Sequence, residues 1–309
     1  MEDLIYFTEN VPSGVIVPST VFTYQGEEVL ISGPAGVSRI SASDEDGFRE
    51  ALVGAGSLIE GLPDEVRGII ELLADPITSR TVSYLLCSAK SCRDVIEDVM
   101  ALSQAKVMIV GCGGIGSSVC MLLAGAGVKN FYLVDADVIE KSNLNRQFFW
   151  TLKDIGQKKI HVLKQALDAR FEGISVDYLD AKADMDHLCQ MAALGFDGVA
   201  ITADNPPTLA RDGWKISKTC GIPVVAGGYL HHLCASFHFE PHDYHVVEEA
   251  AQMAENEKWA ALPSAIMPSY GPMNLSLAAA LSSNLISSIA KCSFGTQETS
   301  IARWDSRTT

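Results

Sequence analysis

The chain has 309 residues, 48% hydrophobic and 20% charged, which is enough apolar content for a buried core and excludes an intrinsically disordered protein. Its 23 basic against 38 acidic residues leave a net charge of −15, which excludes general binding to nucleic acid or to an anionic membrane surface, both of which need Lys and Arg facing phosphate. No apolar run reaches the roughly 18–20 residues that cross a bilayer; the opening MEDLIYFTEN lacks a signal-peptide pattern, and eight dispersed cysteines fit reduced thiols in a cytoplasmic protein.

The first stretch of the chain reads as short β-prone runs, Leu4–Thr8, Gly14–Val17, Val21–Tyr24 and Val29–Ser32, broken by Pro and Gly turn signals. Two helical patterns follow. One opens at Asp44 with early acids. The other opens at Pro63 and repeats Val66, Ile69, Ile70 and Leu73 at helical spacing. Strands then helices over 1–76 predict a small winged-helix-like α+β module; the other reading is a decorated extension packed on the main domain.

From Lys106 the texture changes to strand alternating with helix. Strands are predicted at Lys106–Val110, Phe131–Val134, Val176–Leu179, Gly198–Thr202 and Pro223–Ala226, with helices at Ile115–Ala126, Lys158–Arg170 and Leu275–Ile289. This alternation implies right-handed crossovers, so the fold class expected for 77–309 is α/β, a doubly wound, Rossmann-like, mainly parallel sheet.

Gly111-Cys-Gly-Gly-Ile-Gly116 directly follows the first of these strands and opens a helix. Glycines there let backbone N–H groups approach a phosphate, and the helix N-terminus adds favourable partial charge. Gly111, Gly113, Gly114 and Gly116 are therefore candidate nucleotide-binding positions, although the pattern also serves NAD and FAD enzymes. Asp135 ends the next strand, where an acid reaches ribose hydroxyls, and Asp137 follows it. The run from Asp135 to Gln147 is unlike a dehydrogenase: it groups Asn143, Arg146 and Gln147, with Lys159 just beyond Gly156. A glycine loop already serves a pyrophosphate, so an added arginine and lysine suit a triphosphate and its leaving group. Asp204, after the strand Gly198–Thr202, lies at the carboxyl edge of the sheet and has the chemistry to hold Mg²⁺. Taken singly, Arg146 reads equally well as a surface ion pair, Lys159 as a helix-face charge and Asp204 as a helix cap. Their succession in this order points to ATP and Mg²⁺.

The order GxGGxG, Asp-x-Asp, Ser-Asn-Leu-x-Arg-Gln, Gly-x-x-Lys and Thr-x-Asp-Asn resembles the ThiF/MoeB superfamily, relatives of ubiquitin-activating enzymes, from Ser79 to Asp305. The resemblance implies adenylation of a carboxylate, with Asp135 on the ribose, Asn143, Arg146 and Lys159 on the phosphates, and Asp204 organising magnesium. Thr78-Ser-Arg80 resembles a family motif whose arginine reaches the triphosphate in a partner subunit, which implies a homodimer. The N-terminal module is similar to that of the peptide-maturing members in microcin C and pantocin A biosynthesis. That likeness implies a ribosomal precursor peptide as partner, with intramolecular attack on the acyl adenylate and glutamate cyclisation favoured. The alternatives are a sulfur-carrier or tRNA-modifying activator, or a silent peptide-binding scaffold.

Two features depart from the family. Its structural zinc needs two Cys-x-x-Cys pairs, and this chain has none, so no zinc site is expected. His231, His232, His238, His242 and His245 cluster in sequence, open to readings as metal ligands, as an acid/base group, or as ordinary strand and loop residues. No cysteine lies between Phe237 and Ser264 to form a thioester. Cys234, in an alternating run, reads as a buried small hydrophobe, and Cys112 as a packing residue. Glu248–Lys258 reads as a solvated acidic helix or a flexible lid.

Overall fold

The computed structural model describes residues 1–44, 47–182, 184–206, 208–243 and 268–308. These form two compact units, Met1–Ala101 with Ala290–Gly295, and Leu102–Ile289 with Thr296–Thr309.

The first unit holds two small antiparallel sheets. One has the order β1 (Ile5–Thr8), β2 (Val11–Ile16), β6 (Leu58–Glu60); the other is β3 (Val21–Gln25), β4 (Glu28–Gly33), β5 (Gly36–Ser41). The β1–β2 turn is made by Glu9 and Asn10, both at positive φ, the backbone that a tight hairpin needs. Helix α1 (Phe48–Gly54) covers one face of the second sheet, burying Ala51, Leu52 and Ala55 against Ile31 and Leu58. Helix α2 (Pro63–Ala74) starts on its proline, with the Glu65 carboxylate accepting the Leu62 N–H at 2.9 Å, and buries Val66, Ile69 and Leu73. Helices α3 (Ser79–Leu85) and α4 (Cys92–Gln104) follow.

The second unit is the α/β domain. Its seven-stranded sheet has the order β13-β12-β11-β10-β7-β8-β9. In chain order the elements are β7 (Lys106–Val110), α5 (Gly114–Ala126), β8 (Asn130–Val134), α6 (Lys159–Arg170), β9 (Ser175–Leu179), α7 (Met185–Ala192), β10 (Gly198–Ile201), α8 (Trp214–Cys220), β11 (Val224–Leu230), β12 (Leu233–Phe239), α9 (Gly271–Ile289) and β13 (Ser300–Asp305). Strands β11, β10, β7, β8 and β9 are parallel; β12 and β13 add antiparallel at one edge. The mainly parallel doubly wound sheet is therefore present. Its strands are continuous apolar runs because helices cover both faces: β7 and β10 are buried almost throughout.

Strand order places the site. The chain runs from β7 through β8 to β9 on one side, then returns to β10 on the other side of β7. The loops leaving β7 and β10 start from this reversal at the carboxyl edge of the sheet, the place where ligands bind in such folds.

Candidate active site

The chain leaves β7 at Gly111, whose φ of +90° is a left-handed backbone that a side chain would strain. A Cβ at Gly111 would lie 2.6 Å from the Ala203 nitrogen, and one at Gly116 would collide with the Gly111 carbonyl oxygen. Thr202 Oγ1 donates to that carbonyl at 2.7 Å. Both positions require glycine because the loops after β7 and β10 and the start of α5 are pressed together there. Gly113 is different: the nearest atom to a Cβ built on it is Gln147 Nε2 at 3.6 Å, so its face of the loop is open.

Asp135, buried at the end of β8, uses both carboxylate oxygens on backbone amides. Oδ2 accepts from Cys112 N–H at 2.6 Å and Oδ1 from Asp137 N–H at 2.7 Å. The acid placed on the ribose by the sequence thus also fixes the tip of the glycine loop. Burial, and then the neighbouring Asp135 charge, push the Cys112 thiol well above its ordinary range, so it stays protonated and acts as packing.

Lys159 opens α6 with only 7% of its surface exposed, and its Nζ lies 2.8 Å from Oδ2 of Asp137, whose side chain is largely exposed. Lys158 turns the other way, to Asp180 at 2.8 Å and the Ala136 carbonyl at 2.7 Å. Ahead of them, a 3₁₀ turn spans Lys141–Asn145. Asn143 is buried, and its Oδ1 accepts the Glu140 N–H at 3.0 Å, so that oxygen caps the turn. Arg146 folds onto the same turn, donating to the Ser142 carbonyl at 3.0 Å and to Asn145 Oδ1 at 2.9 Å. Its carbonyl oxygen stands 2.9 Å from a Cβ position at Gly114. Gln147 is buried beside Gly113, its Oε1 held by Trp150 Nε1 at 2.7 Å.

Around one loop the structure therefore gathers Asp135, Arg146, Gln147 and the Thr202–Ala203 backbone, with Asp137 and Lys159 beside the Asp135 carboxylate. Asp204 follows two residues after Thr202; it is exposed and has no hydrogen-bond or ion-pair partner among the described residues. Arg80 lies on α3 of the first unit, also exposed.

Strand β12 separates the histidines that stand together in the sequence. His231 and His232 form the tip of the β11–β12 hairpin, His231 at φ +58°. His238 is buried further along, its Nε2 2.7 Å from Ser288 Oγ and 3.1 Å from Glu240 Oε1. Among the described residues no three His, Cys, Asp or Glu side chains are placed to hold a metal. His245 and Glu248–Lys258 lie outside the described residues.

One buried polar residue at the loop escaped the sequence reading. Asn274, in the first turn of α9, is 2% exposed, and its Oδ1 is 2.5 Å from a Cβ position on Gly114. The only signal was an asparagine within an apolar helix.

The chain belongs to the ThiF family, whose model matches residues 92–307. Among curated relatives, a SAMP-activating enzyme E1 of Haloferax volcanii is 33% identical over 129 residues, 41% of this chain and 46% of that one. The molybdopterin-synthase adenylyltransferase of Salmonella typhimurium is 36% identical over 135 residues, 43% of this chain and 53% of that one. The chain spans about half the length, or less, of the curated relatives it matches. Among solved structures, Escherichia coli MccB with ATP superposes with a TM-score of 0.68 at 20% identity, covering 95% of this chain and 96% of that one. PaaA superposes at 0.61 and 18% identity, over 92% and 94%. At these identities the likeness is one of fold, and it extends through the N-terminal sheets as well as the α/β domain.

Proposed function

We propose that this ThiF-family chain uses ATP and Mg²⁺ to adenylate a carboxylate of a ribosomally made precursor peptide. The observation that carries the reading is the convergence at one switch point of an open glycine loop with Asp135, Lys159, Arg146, Gln147 and the strand end leading to Asp204. Loop amides and the start of α5 offer orphan donors to phosphate. Lys159 and Arg146 offset its negative charge, and Asp204 is the carboxylate free to hold the metal ion, which would stabilise pyrophosphate as it leaves. A substrate carboxylate oxygen bonds to the α-phosphorus as the bond to pyrophosphate breaks. A second group of the same peptide then attacks the acyl carbon, loses its proton, and AMP departs with the bonding pair. Cys234 supports a substrate nucleophile over a protein thioester. It is 1% exposed, and burial with the Asp305 charge raises its thiol above the ordinary range.

The N-terminal unit supplies the peptide part of the reading. All five residues of β3 are exposed, and Phe22 and Tyr24, each 69% exposed, share the sheet face of buried Ile31. An extended segment added to that edge would gain backbone hydrogen bonds and an aromatic ledge for alternate side chains. The structure described as the microcin C7 biosynthetic enzyme MccB in complex with N-formylated MccA, covering 95% of this chain at a TM-score of 0.69, supports a peptide partner. Glutamate cyclisation is the favoured outcome. Arg80, without an ion-pair partner among the described residues, is assigned to a second subunit's triphosphate in a cytoplasmic homodimer.

The second reading, activation of a folded sulfur carrier, is favoured by the adenylyltransferase relatives. ATP–pyrophosphate exchange separates the two. Stimulation by short peptides encoded beside this gene supports peptide maturation, whereas stimulation only by a ubiquitin-like carrier replaces it with carrier activation.

A further inference from the structure

Asn274 meets the start of α5, the Tyr270 backbone and β11 at once. Its Oδ1 and the Arg146 carbonyl oxygen both border the space in front of Gly114, the first residue of α5, at 2.5 and 2.9 Å from a Cβ built there. Its Nδ2 donates to the Tyr270 carbonyl at 2.9 Å and reaches Tyr229 Oη at 3.5 Å. Tyr229, on the part of β11 that runs beyond β10, is hydrogen-bonded to Ser269 Oγ. Ser269 closes the circuit, its carbonyl accepting Asn145 Nδ2 at 2.9 Å, one residue from Arg146.

A residue that only filled space here would be aliphatic, since burying an amide costs free energy unless its atoms are used. The first turn of a helix is where backbone N–H groups lack partners, and Asn274 Oδ1 stands against that turn. The same contact explains why position 114 carries no side chain: an alanine there would meet both Asn274 Oδ1 and the Arg146 carbonyl. Asn274 thus packs α9 against the start of α5, and the Tyr229–Ser269–Asn145 hydrogen bonds carry the connection on to the Arg146 turn.

We propose that Asn274 is a positioning residue for nucleotide binding, holding the start of α5 and the Arg146 turn at the separation that a triphosphate requires, with Tyr229 as its support. This inference rests on the ATP reading above. The test uses the full-length protein and compares wild type with Asn274→Asp, Asn274→Ala and Tyr229→Phe. ATP affinity, the KM and kcat of ATP–pyrophosphate exchange, and Tm are measured for each. Asn274→Asp keeps the shape but faces a carboxylate toward the phosphate site, so KM for ATP rises about tenfold or more while kcat moves less than about threefold. Asn274→Ala raises KM by about fivefold, and Tyr229→Phe, the gentlest change, by about threefold. A purely structural residue would show KM unchanged in folded Asn274→Asp and Tyr229→Phe, or changed only in step with lost Tm. Either result overturns the proposal. Absence of ATP binding by the wild type would instead overturn the nucleotide reading, and the inference with it.

Discussion

Asp135 Oδ2 accepts the Cys112 N–H at 2.6 Å, which makes the end of β8 the clamp on the glycine loop that leaves β7. The other oxygen takes the Asp137 N–H at 2.7 Å, so one buried carboxylate orders both the loop and the segment that carries the partner of Lys159.

Replacing Asp135 by Ala leaves those two amides without their acceptor in a buried place. About 2–4 kcal/mol of stability is lost, together with nucleotide binding. Asn restores one acceptor oxygen only, so Asp135→Asn falls between wild type and Asp135→Ala in Tm. Equal Tm values for all three would show that the clamp contributes nothing to the fold.

Asp204 presents the opposite case. It is exposed and bonded to nothing among the described residues, so Asp204→Ala should leave stability within about 0.5 kcal/mol. If it organises the metal ion, formation of AMP and pyrophosphate falls by about 100-fold or more. Wild-type turnover by the folded variant would remove Asp204 from the mechanism.

The Lys159–Asp137 pair is asymmetric, the ammonium being buried and the carboxylate largely solvated. Losing Asp137 strands a buried charge, whereas losing Lys159 frees an acid already in water. Asp137→Ala should therefore cost about 1–3 kcal/mol and Lys159→Met under about 1 kcal/mol, after allowing for solvent screening of the exposed partner. If Lys159 serves phosphate as proposed, activity reverses that order, and Lys159→Met loses about 100-fold in ATP turnover. Chemical denaturation and exchange kinetics on both variants decide it.

How legible this was in the sequence depended on distance along the chain. β7 was predicted as Lys106–Val110 and found there, because a continuous apolar run ends in a glycine loop. Helix α9 begins at Gly271, four residues before the predicted Leu275, because the Gly-Pro pair that looks like a breaker occupies its first turn. β12 was visible only as alternation; its antiparallel place between β11 and β13 depends on partners on either side of the 244–267 stretch. β5 and α4 were missed, the former for its exposed, Gly- and Ser-containing pattern and the latter for its many charged and small residues. In the site, the glycines, Asp135 and Lys159 advertise themselves by spacing. Asn274 does not, since its contact with Gly114 exists only after folding.

Cys292 is exposed, yet burial of its sulfur and the charges of Asp98 and Glu97 push its thiol up to about 11. A raised thiol pKa means less thiolate, on the order of one part in a thousand at pH 8. Alkylation of Cys292 should therefore be slow at pH 8 and accelerate about tenfold per pH unit toward pH 11. Glu97→Gln removes one charge and should raise the rate at pH 8. Mass-spectrometric rates between pH 7 and 10 check this, and a plateau near pH 8.5 would contradict it.

The edge strand β3 carries the peptide half of the proposed function. Phe22 and Tyr24 meet edge to face at 6.5 Å and remain 69% exposed, although their sheet neighbour Ile31 is buried. Exposed aromatics contribute little to folding, so Phe22→Ser with Tyr24→Ser should shift stability by less than about 1 kcal/mol. If a leader segment pairs with this edge, the ledge supplies much of its side-chain contact, and the KM for the precursor peptide should rise about tenfold or more. Tethering acts by effective concentration, so a truncated peptide lacking its leader should be processed equally poorly by wild type and variant. ATP affinity, set in the other unit, should not move. A variant that processes the full peptide at the wild-type KM removes β3 as the docking edge. A variant whose ATP affinity falls in parallel shows a general loss of folding instead, and the edge assignment then fails as well.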